Sequence, residues 1–253
     1  ELVLNESPLP TLKEAVGSAQ PTSRERAEEK SEIHRNNSAA ETKGHVPLCV
    51  TGPVGSGRST LMASMALKHA SLNPKDVVFV HFVGSAGPSS ANHIELLRRL
   101  LAELNDRCDL QLEPVEQDFK VLEAFSIVLT KAAAHLNNIG GRLVIVIASL
   151  ENLDDDRNST ALAWLPSTLP HHNIRIILSC SDTGPGIEAV RKFGWRTLEV
   201  PPLSESERRE VVVRYLQQFG KTLDERNVSR LVEAEQTGNA LFLQACLDEL
   251  RVF

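Results

Sequence analysis

A glycine-rich stretch that joins an apolar segment to a helix-like one constrains the fold of this chain most strongly. The stretch, GPVGSGRST at 52–60, follows the apolar residues 46–50 and opens into a helical pattern at 60–69. Glycines let successive backbone N–H groups curl around an anion, and the positive end of the following helix points at the same anion. The pattern therefore predicts a phosphate-binding loop. The candidate phosphate-binding residues are Gly52, Gly55, Ser56, Gly57, Arg58, Ser59 and Thr60.

One residue of this stretch departs from the usual pattern, G-x-x-x-x-G-K-[ST], because Arg58 stands where a lysine is expected. A lysine ammonium is a compact point charge, whereas a guanidinium is planar and wider, so the exchange is not conservative at a tight site. Arg58 can still hold a phosphate through two N–H bonds. Ser59 occupies the position that supplies a hydroxyl to Mg²⁺. A glycine-rich turn without a ligand is the alternative interpretation of the stretch.

Short apolar segments that alternate with helical patterns define the fold class. Five of them predict strands, at 46–50, 76–83, 142–148, 173–180 and 195–200. Helical patterns at 60–69, 94–104 and 115–136 lie between strands. This alternation favours a parallel sheet that is covered by helices on both faces. The predicted fold class is therefore α/β, a phosphate-loop sheet sandwiched by helices.

The chain after this sheet has an entirely helical pattern. Helices are predicted near 204–219, 224–235 and 239–251, and Ser204 followed by Glu207 is typical of a helix start with a capping box. We therefore predict an α/β domain at 46–202 and a small helical lobe at 203–253. Residues 1–45 are mostly polar and charged, and such a composition buries little apolar surface. We expect a flexible linker there, with a partner-binding arm as the alternative.

Composition narrows the class of partner. The net charge is −6 and no long basic run is present, so we expect no nucleic-acid partner. No stretch is long and apolar enough to predict a membrane span. The four cysteines, Cys49, Cys108, Cys180 and Cys246, are scattered without a C-x-x-C pair. Cys49 and Cys180 lie in apolar strand-like runs, which indicates small buried side chains in a reducing compartment and favours the cytoplasm.

The tip of the third predicted strand should form the second half of the site. Enzymes with a phosphate-binding loop hold Mg²⁺ with an acid at this position and orient the attacking water with a neighbouring group. The acid position is Ala148 in this chain, and Ser149 could hold a metal-bound water. Glu151 is the nearest acid and is the candidate base or water-orienting group. The acidic run at 154–156 is interpreted as a solvated loop, because consecutive carboxylates repel each other.

Two serines follow the fourth predicted strand at the same edge of the sheet. Ser179 and Ser181 lie where a residue that senses the terminal phosphate is expected. The alternative interpretation is that both hydroxyls cap the end of the strand. The sequence favours neither.

These segments together resemble the NACHT-type branch of the signal-transduction NTPases known as the STAND class. The similarity is greatest to nephrocystin-like and telomerase-protein-component-like members, which carry tetratricopeptide or WD repeats. The segments that carry it are 52–60, 80–85, 144–147 with 150–153, 203–209 and 236–243. The resemblance implies a switch that binds ATP or GTP with Mg²⁺, with a lobe that closes over the nucleotide and with protein partners or self-association.

The family pattern also marks three departures at positions that contact the ligand. Its lobe motif Gly-Asn-Pro, whose proline packs near the base, corresponds to Gly238, Asn239 and Ala240, so the proline is absent. The other two departures are Arg58 and Ala148. Losing one charged group of this kind costs roughly 3 kcal/mol at the transition state.

Two functional hypotheses therefore stay open. The first is a nucleotide-binding module with a degenerate active site, which acts as a regulatory or scaffold domain of a larger signalling protein with weak or no hydrolysis. The second is a slow Mg²⁺-dependent ATPase or GTPase switch that controls oligomerisation, in which Arg58 replaces the lysine and Glu151 with Ser149 handles Mg²⁺ through water. A kinase-like phosphotransferase is disfavoured because no substrate-binding element is visible.

Overall fold

The computed structural model describes residues 45–115, 117–154 and 160–252 of this chain. Almost all of the predicted linker at 1–45 lies outside these ranges, as do the last two residues of the acidic run at 154–156. The described residues belong to one compact unit.

Five parallel strands form a single sheet among the described residues. Their bounds are β1 (Leu48–Gly52), β2 (Val77–Phe82), β3 (Leu143–Ala148), β4 (Ile174–Ser181) and β5 (Arg196–Glu199). The strand order is β2-β3-β4-β1-β5, and every neighbouring pair is parallel. The predicted α/β fold class and its five strands are confirmed, and each strand end lies within two residues of the predicted position.

Seven α-helices accompany the sheet in the described part of the chain. Their bounds are α1 (Arg58–Leu72), α2 (His93–Arg107), α3 (Asp118–Asn138), α4 (Pro185–Lys192), α5 (Glu205–Gln217), α6 (Glu225–Glu233) and α7 (Ala240–Val252). The first three correspond to the helices predicted between the strands, and the last three to the predicted lobe helices.

Helices cover both faces of the sheet, as the alternating pattern predicts. The main core lies on one face, where α2, α3 and α4 pack against the sheet with leucines such as Leu97 and Leu100 of α2 fully buried. Met62 and Ala66 of α1 pack against the other face beside Val144 and Val146. All six residues of β3 are buried, which explains its unbroken apolar sequence.

The strand order brings the predicted site residues to one edge of the sheet. β1 lies between β4 and β5, and β4 lies between β1 and β3. Since all strands run in the same direction, the carboxyl ends of β1, β3 and β4 meet at the same edge. Open α/β sheets bind ligands at this edge, where the chain connections diverge to either side.

Helices α5, α6 and α7 bury a small core of their own. It consists of apolar side chains from all three helices: Val212, Leu216, Val228, Val232, Leu243 and Leu247. The predicted capping box at the start of α5 is present, because Ser204 Oγ accepts from Glu207 N at 3.3 Å while Ser204 N donates to Glu207 Oε2 at 2.8 Å.

All four cysteines are free thiols. Cys49 and Cys180 are buried, as the sequence predicts; Cys108 is buried as well, and Cys246 is partly exposed. Cys49 Sγ lies 3.4 Å from Cys180 Sγ, and this contact and burial raise the pKa of the Cys49 thiol. No described helix is both long enough and apolar enough to cross a membrane.

Candidate functional site

The glycine-rich loop lies between the carboxyl end of β1 and the first turn of α1. Gly55 and Gly57 have φ angles of 82° and 91°, which favour glycine. A Cβ at Gly55 would also lie 2.6 Å from Asn239 Oδ1 and 2.8 Å from Leu241 Cβ, so the lobe approaches the loop too closely for a side chain. No side chain caps the start of α1 at Gly57. A glycine cradle in front of an uncapped helix N-terminus fits a phosphate group.

Arg58 does not project freely from this loop. Its Nη2 lies 2.6 Å from Glu151 Oε1, its Nη1 lies 3.5 Å from Glu151 Oε2, and only 7% of the Arg58 side chain is exposed. The same Glu151 Oε2 accepts from the backbone N–H of Ser181 at 3.2 Å. The loop cation and the candidate catalytic acid therefore neutralise each other.

The tip of β3 brings two further predicted residues together. Ser149 has φ 66° and ψ 53°, a left-handed conformation that is uncommon for a residue other than glycine and that is found at functional sites. Its Oγ lies 3.1 Å from Ser59 Oγ, so the predicted metal ligand and the predicted water-holding hydroxyl are neighbours. Ala148, at the acid position, is fully buried and offers no ligand atom.

These residues fit a triphosphate better than they fit a magnesium ion. Mg²⁺ prefers six oxygen ligands and is usually held by one or two carboxylates together with phosphate oxygens. Ser59 and Ser149 supply neutral hydroxyls, and the carboxylate of Glu151 is already paired with Arg58. No cluster of three or more histidine, cysteine or acidic side chains among the described residues could hold a metal ion. Ser59 would therefore hold Mg²⁺ with the nucleotide and with water.

The two serines at the end of β4 form hydrogen bonds with residues that follow β3. Ser179 is fully buried, and its Oγ accepts from the backbone N–H of Ser149 at 3.0 Å. Ser181 is also buried, and its N–H holds Glu151. Each serine thus positions one residue of the β3 tip, and a role in sensing phosphate stays a prediction.

The helical lobe closes the site on the side of the loop. Leu241 N donates to Gly55 O at 2.9 Å, and Asn239 Nδ2 donates to Val54 O at 2.8 Å. A cavity of about 220 Å³ remains between loop and lobe. It is lined by Gly55, Gly57, Arg58, Ser59, Thr60, Ala240, Leu241 and Gln244. The predicted residue Ala240 therefore faces the same cavity as the phosphate-binding loop.

Sequence reasoning missed two residues that line this cavity, Leu241 and Gln244. Asn239 is the middle residue of the lobe motif, and its bond to Val54 of the loop is a contact that the motif does not predict. Gln244 lies one helical turn after Ala240, on the same face of α7. The 3.6-residue period therefore predicts that Gln244 lines the cavity wherever Ala240 does.

A family profile for the NACHT domain matches residues 46–218, more than half of the chain. The chain belongs to the NACHT domain family. The match begins just before β1 and ends just after α5, so it includes the loop, the β3 tip and the first lobe helix.

Relatives agree with this assignment, and one solved structure has a similar fold. Telomerase protein component 1 of Mus musculus is 31% identical over 212 residues, which cover 81% of this chain and 8% of that protein. Nephrocystin-3 of Homo sapiens is 27% identical over 205 residues, which cover 78% of this chain and 14% of that protein. The chain thus spans less than a sixth of either relative. The fold is similar to that of the Aeropyrum pernix ORC2 protein in its ADPNP-ADP complexes, with a TM-score of 0.52 and 13% identity over 94% of this chain and 64% of that one.

Proposed function

We propose that this chain is the nucleotide-binding module of a larger signalling protein, and that its degenerate active site gives it a regulatory or scaffold role with weak or no hydrolysis. The observation that carries the proposal is the ion pair between Arg58 and Glu151 beside the apolar Ala148. The glycine-rich loop that would hold a nucleotide keeps its backbone conformation. The charges of Arg58 and Glu151 are paired with each other, and Ala148 carries no charge.

The argument against rapid hydrolysis is electrostatic. Phosphoryl transfer depends almost entirely on positioning and on the stabilisation of developing negative charge. Arg58 is already balanced by Glu151, and Ala148 cannot hold a metal ion or its water. If each change costs about 3 kcal/mol, the two together slow the chemical step by roughly four orders of magnitude.

The argument for retained binding concerns the backbone. The N–H groups of residues 55–60 and the start of α1 need no side chain to contact a phosphate. Gly55 and Gly57 keep the conformation that such a loop needs. We therefore expect ATP or GTP as the ligand, with Mg²⁺ adding less affinity than it does in a site with an acid at the β3 tip.

A titration tests this function directly. The purified chain is titrated with fluorescent analogues of ATP and GTP, with and without Mg²⁺, and its thermal stability is followed in parallel. A nucleotide at about a hundred times its dissociation constant should stabilise the fold by roughly 2.7 kcal/mol. The absence of both binding and thermal shift at millimolar nucleotide would contradict the proposal.

A slow Mg²⁺-dependent ATPase or GTPase switch that controls oligomerisation is the second candidate. The adjacent hydroxyls of Ser59 and Ser149 favour it, because both lie where a metal ion and its water are expected. In this case Glu151→Gln should abolish turnover while nucleotide binding survives. Unchanged turnover in that variant would exclude Glu151 as the base or water-orienting group.

The proposal also covers the partners of this chain and its compartment. Protein partners or self-association fit a module that spans a small part of the proteins it is similar to. The four free thiols favour a reducing compartment such as the cytoplasm. The acidic net charge of −6 favours protein partners over nucleic acid.

A further inference from the structure

Asn239 links the phosphate-binding loop to the first turn of α7. Its Oδ1 accepts from Leu241 N at 3.1 Å and from Phe242 N at 3.2 Å, so it caps the helix. Its Nδ2 donates to Val54 O at 2.8 Å, across 185 positions of the sequence. One amide therefore satisfies the start of a lobe helix and a carbonyl of the loop at the same time.

A second bond from the lobe reaches the next carbonyl of the loop. Leu241 N donates to Gly55 O at 2.9 Å. The carbonyls of Val54 and Gly55 are thus both turned towards the lobe. No side chain would fit at Gly55, whose missing Cβ would lie 2.6 Å from Asn239 Oδ1, so this contact is as close as the backbone permits.

The orientation of these carbonyls fixes the orientation of two loop N–H groups. A peptide unit is planar and trans, so its C=O and N–H point in opposite directions. Because the lobe holds the C=O of Val54, the N–H of Gly55 points away from the lobe; the same holds for the C=O of Gly55 and the N–H of Ser56. Ser56 N donates to Pro53 O at 3.2 Å within the loop itself. The N–H of Gly55 is one that a phosphate-binding loop offers to its ligand.

The part of the lobe that carries Asn239 is itself firmly held. Gly238 O accepts from Leu203 N at 2.8 Å, at the start of the lobe. Thr237 is 1% exposed, and its Oγ1 accepts from Arg208 Nη1 at 3.2 Å. A displacement of Asn239 therefore has to move α5 and α7 with it.

We propose that Asn239 is a positioning residue: through its bond to Val54 O it orients the Val54–Gly55 peptide for phosphate binding, and it is the contact through which the lobe movement implied by the family resemblance is coupled to the loop. The proposal rests on the nucleotide-binding function proposed above and adds the path by which the lobe responds. The coupling is reciprocal by thermodynamic linkage: a nucleotide that prefers the oriented loop strengthens the contact between Asn239 and Val54 by the same factor.

Asn239→Asp separates this role from helix capping. Aspartate is as good an N-cap as asparagine, so the bonds to Leu241 N and Phe242 N are kept. The donor Nδ2 becomes an oxygen that faces the carbonyl of Val54, so the link to the loop is lost. Asn239→Ser is a second, uncharged variant that keeps a capping oxygen without a donor that reaches the loop.

Asn92→Asp is the matched control. Asn92 caps α2 in the same manner, because its Oδ1 accepts from Ile94 N at 2.9 Å and from Glu95 N at 3.2 Å. It belongs to neither the loop nor the lobe. The same substitution there reports the effect of aspartate at a helix cap alone.

Three quantities are measured for the unaltered chain and the variants: the dissociation constant for a fluorescent ATP analogue, the melting temperature without nucleotide, and hydrogen exchange of residues 240–244 with and without ATP. We expect both Asn239 variants to bind about tenfold more weakly, which is about 1.4 kcal/mol, and Asn92→Asp to bind as the unaltered chain does. The melting temperature of Asn239→Asp should fall further than that of Asn92→Asp, because only the former loses a hydrogen bond between lobe and loop. ATP should protect residues 240–244 in the unaltered chain and not in the Asn239 variants.

The outcomes distinguish this inference from the function on which it rests. If the unaltered chain binds ATP and both Asn239 variants bind equally well with the protection retained, the positioning role is overturned and the binding function stands. If the unaltered chain shows neither binding nor a thermal shift, the binding function is overturned and the positioning role with it. If Asn239→Asp fails to fold, the affinity and exchange of Asn239→Ser decide.

Discussion

The candidate site has two halves that depend on different parts of the chain. In the proposed function the loop side would contact a phosphate through backbone N–H groups, and its glycines and uncapped helix start have a geometry that fits one. The β3 side depends on side chains, and there Ala148 replaces an acid while Glu151 is bound to Arg58. Backbone recognition survives changes of residue type that remove side-chain chemistry. Under the proposed function, this difference between the two halves would let the chain bind a nucleotide while it hydrolyses that nucleotide weakly or not at all.

The largest expected effect comes from repairing the side-chain half. Arg58→Lys together with Ala148→Asp restores the compact cation and the metal-linked acid. We expect the rate of ATP hydrolysis to rise by about a hundredfold or more, since a single such group is worth about 3 kcal/mol in the transition state. Phosphate release under saturating Mg²⁺ and ATP measures it.

The control for this repair is Arg58→Lys with Ala148→Asn, which has a side chain of similar size and no charge. Ala148 is fully buried, so both variants should be less stable than the unaltered chain. Equal hydrolysis in the two variants would show that charge at the β3 tip does not limit the reaction, and the contrast between the two halves would fail.

The backbone half is broken most sharply at Gly55. Gly55→Ala forces a side chain into the left-handed region and within 2.6 Å of Asn239 Oδ1. We expect a loss of about 2–4 kcal/mol in the free energy of unfolding, from strain and overpacking together. Urea unfolding with and without ATP measures this loss, and ATP should no longer stabilise the variant.

Gly140→Ala separates strain from the clash. Gly140 also has a positive φ, 71°, but a Cβ there would meet no atom within 4 Å. Its loss should be about 1 kcal/mol, the cost of a left-handed residue alone. If Gly55→Ala and Gly140→Ala lower the free energy of unfolding equally, the loop and the lobe do not approach each other as closely in solution as the distances at Gly55 require.

A smaller effect is expected from releasing Arg58. Glu151→Gln keeps the shape of the side chain and removes the charge that balances the guanidinium 2.6 Å away. Arg58 is then available to a phosphate, and we expect ATP to bind severalfold more tightly. The titration with a fluorescent analogue measures it, with Glu123→Gln on the exposed face of α3 as the control. Weaker binding by Glu151→Gln would mean that Arg58 does not contact the nucleotide.

The sequence predicted the fold better than the site, for a physical reason. Buried strands such as β3 are continuous apolar runs, and α2 has leucines at helical spacing, so local pattern suffices for both. The loop was also predictable because its glycine spacing is local. The pair between Arg58 and Glu151 and the bond between Asn239 and Val54 join residues 93 and 185 positions apart. No local pattern contains contacts of that kind, and they become visible only once the strand order and the lobe position are known.

The smallest expected effect is on the stability of the fold, and it concerns a residue outside both halves of the site. His81 on β2 is buried; its Nε2 donates to Ser90 O at 2.8 Å and its Nδ1 accepts from Arg99 Nη2 at 3.2 Å. The bond from Arg99 needs the neutral ring, whereas the bond to Ser90 O is kept in both protonation states, and burial lowers the pKa of His81 from its ordinary value near 6.5. A second proton would lie on Nδ1 and face the guanidinium of Arg99.

The direction of the pH effect follows from this lowered pKa. Below about pH 6.5 the unfolded chain binds a proton that folded His81 does not bind, so the free energy of unfolding should fall as the pH is lowered through that value. His81→Asn lacks the titrating ring and should show a shallower fall between pH 7.5 and pH 5.5, although it is less stable at every pH. Urea unfolding across this range measures the two slopes. Equal slopes would mean that His81 accepts a proton in the folded state. If His81→Asn binds ATP at pH 7.5 as the unaltered chain does, His81 contributes to the stability of the fold and not to nucleotide binding.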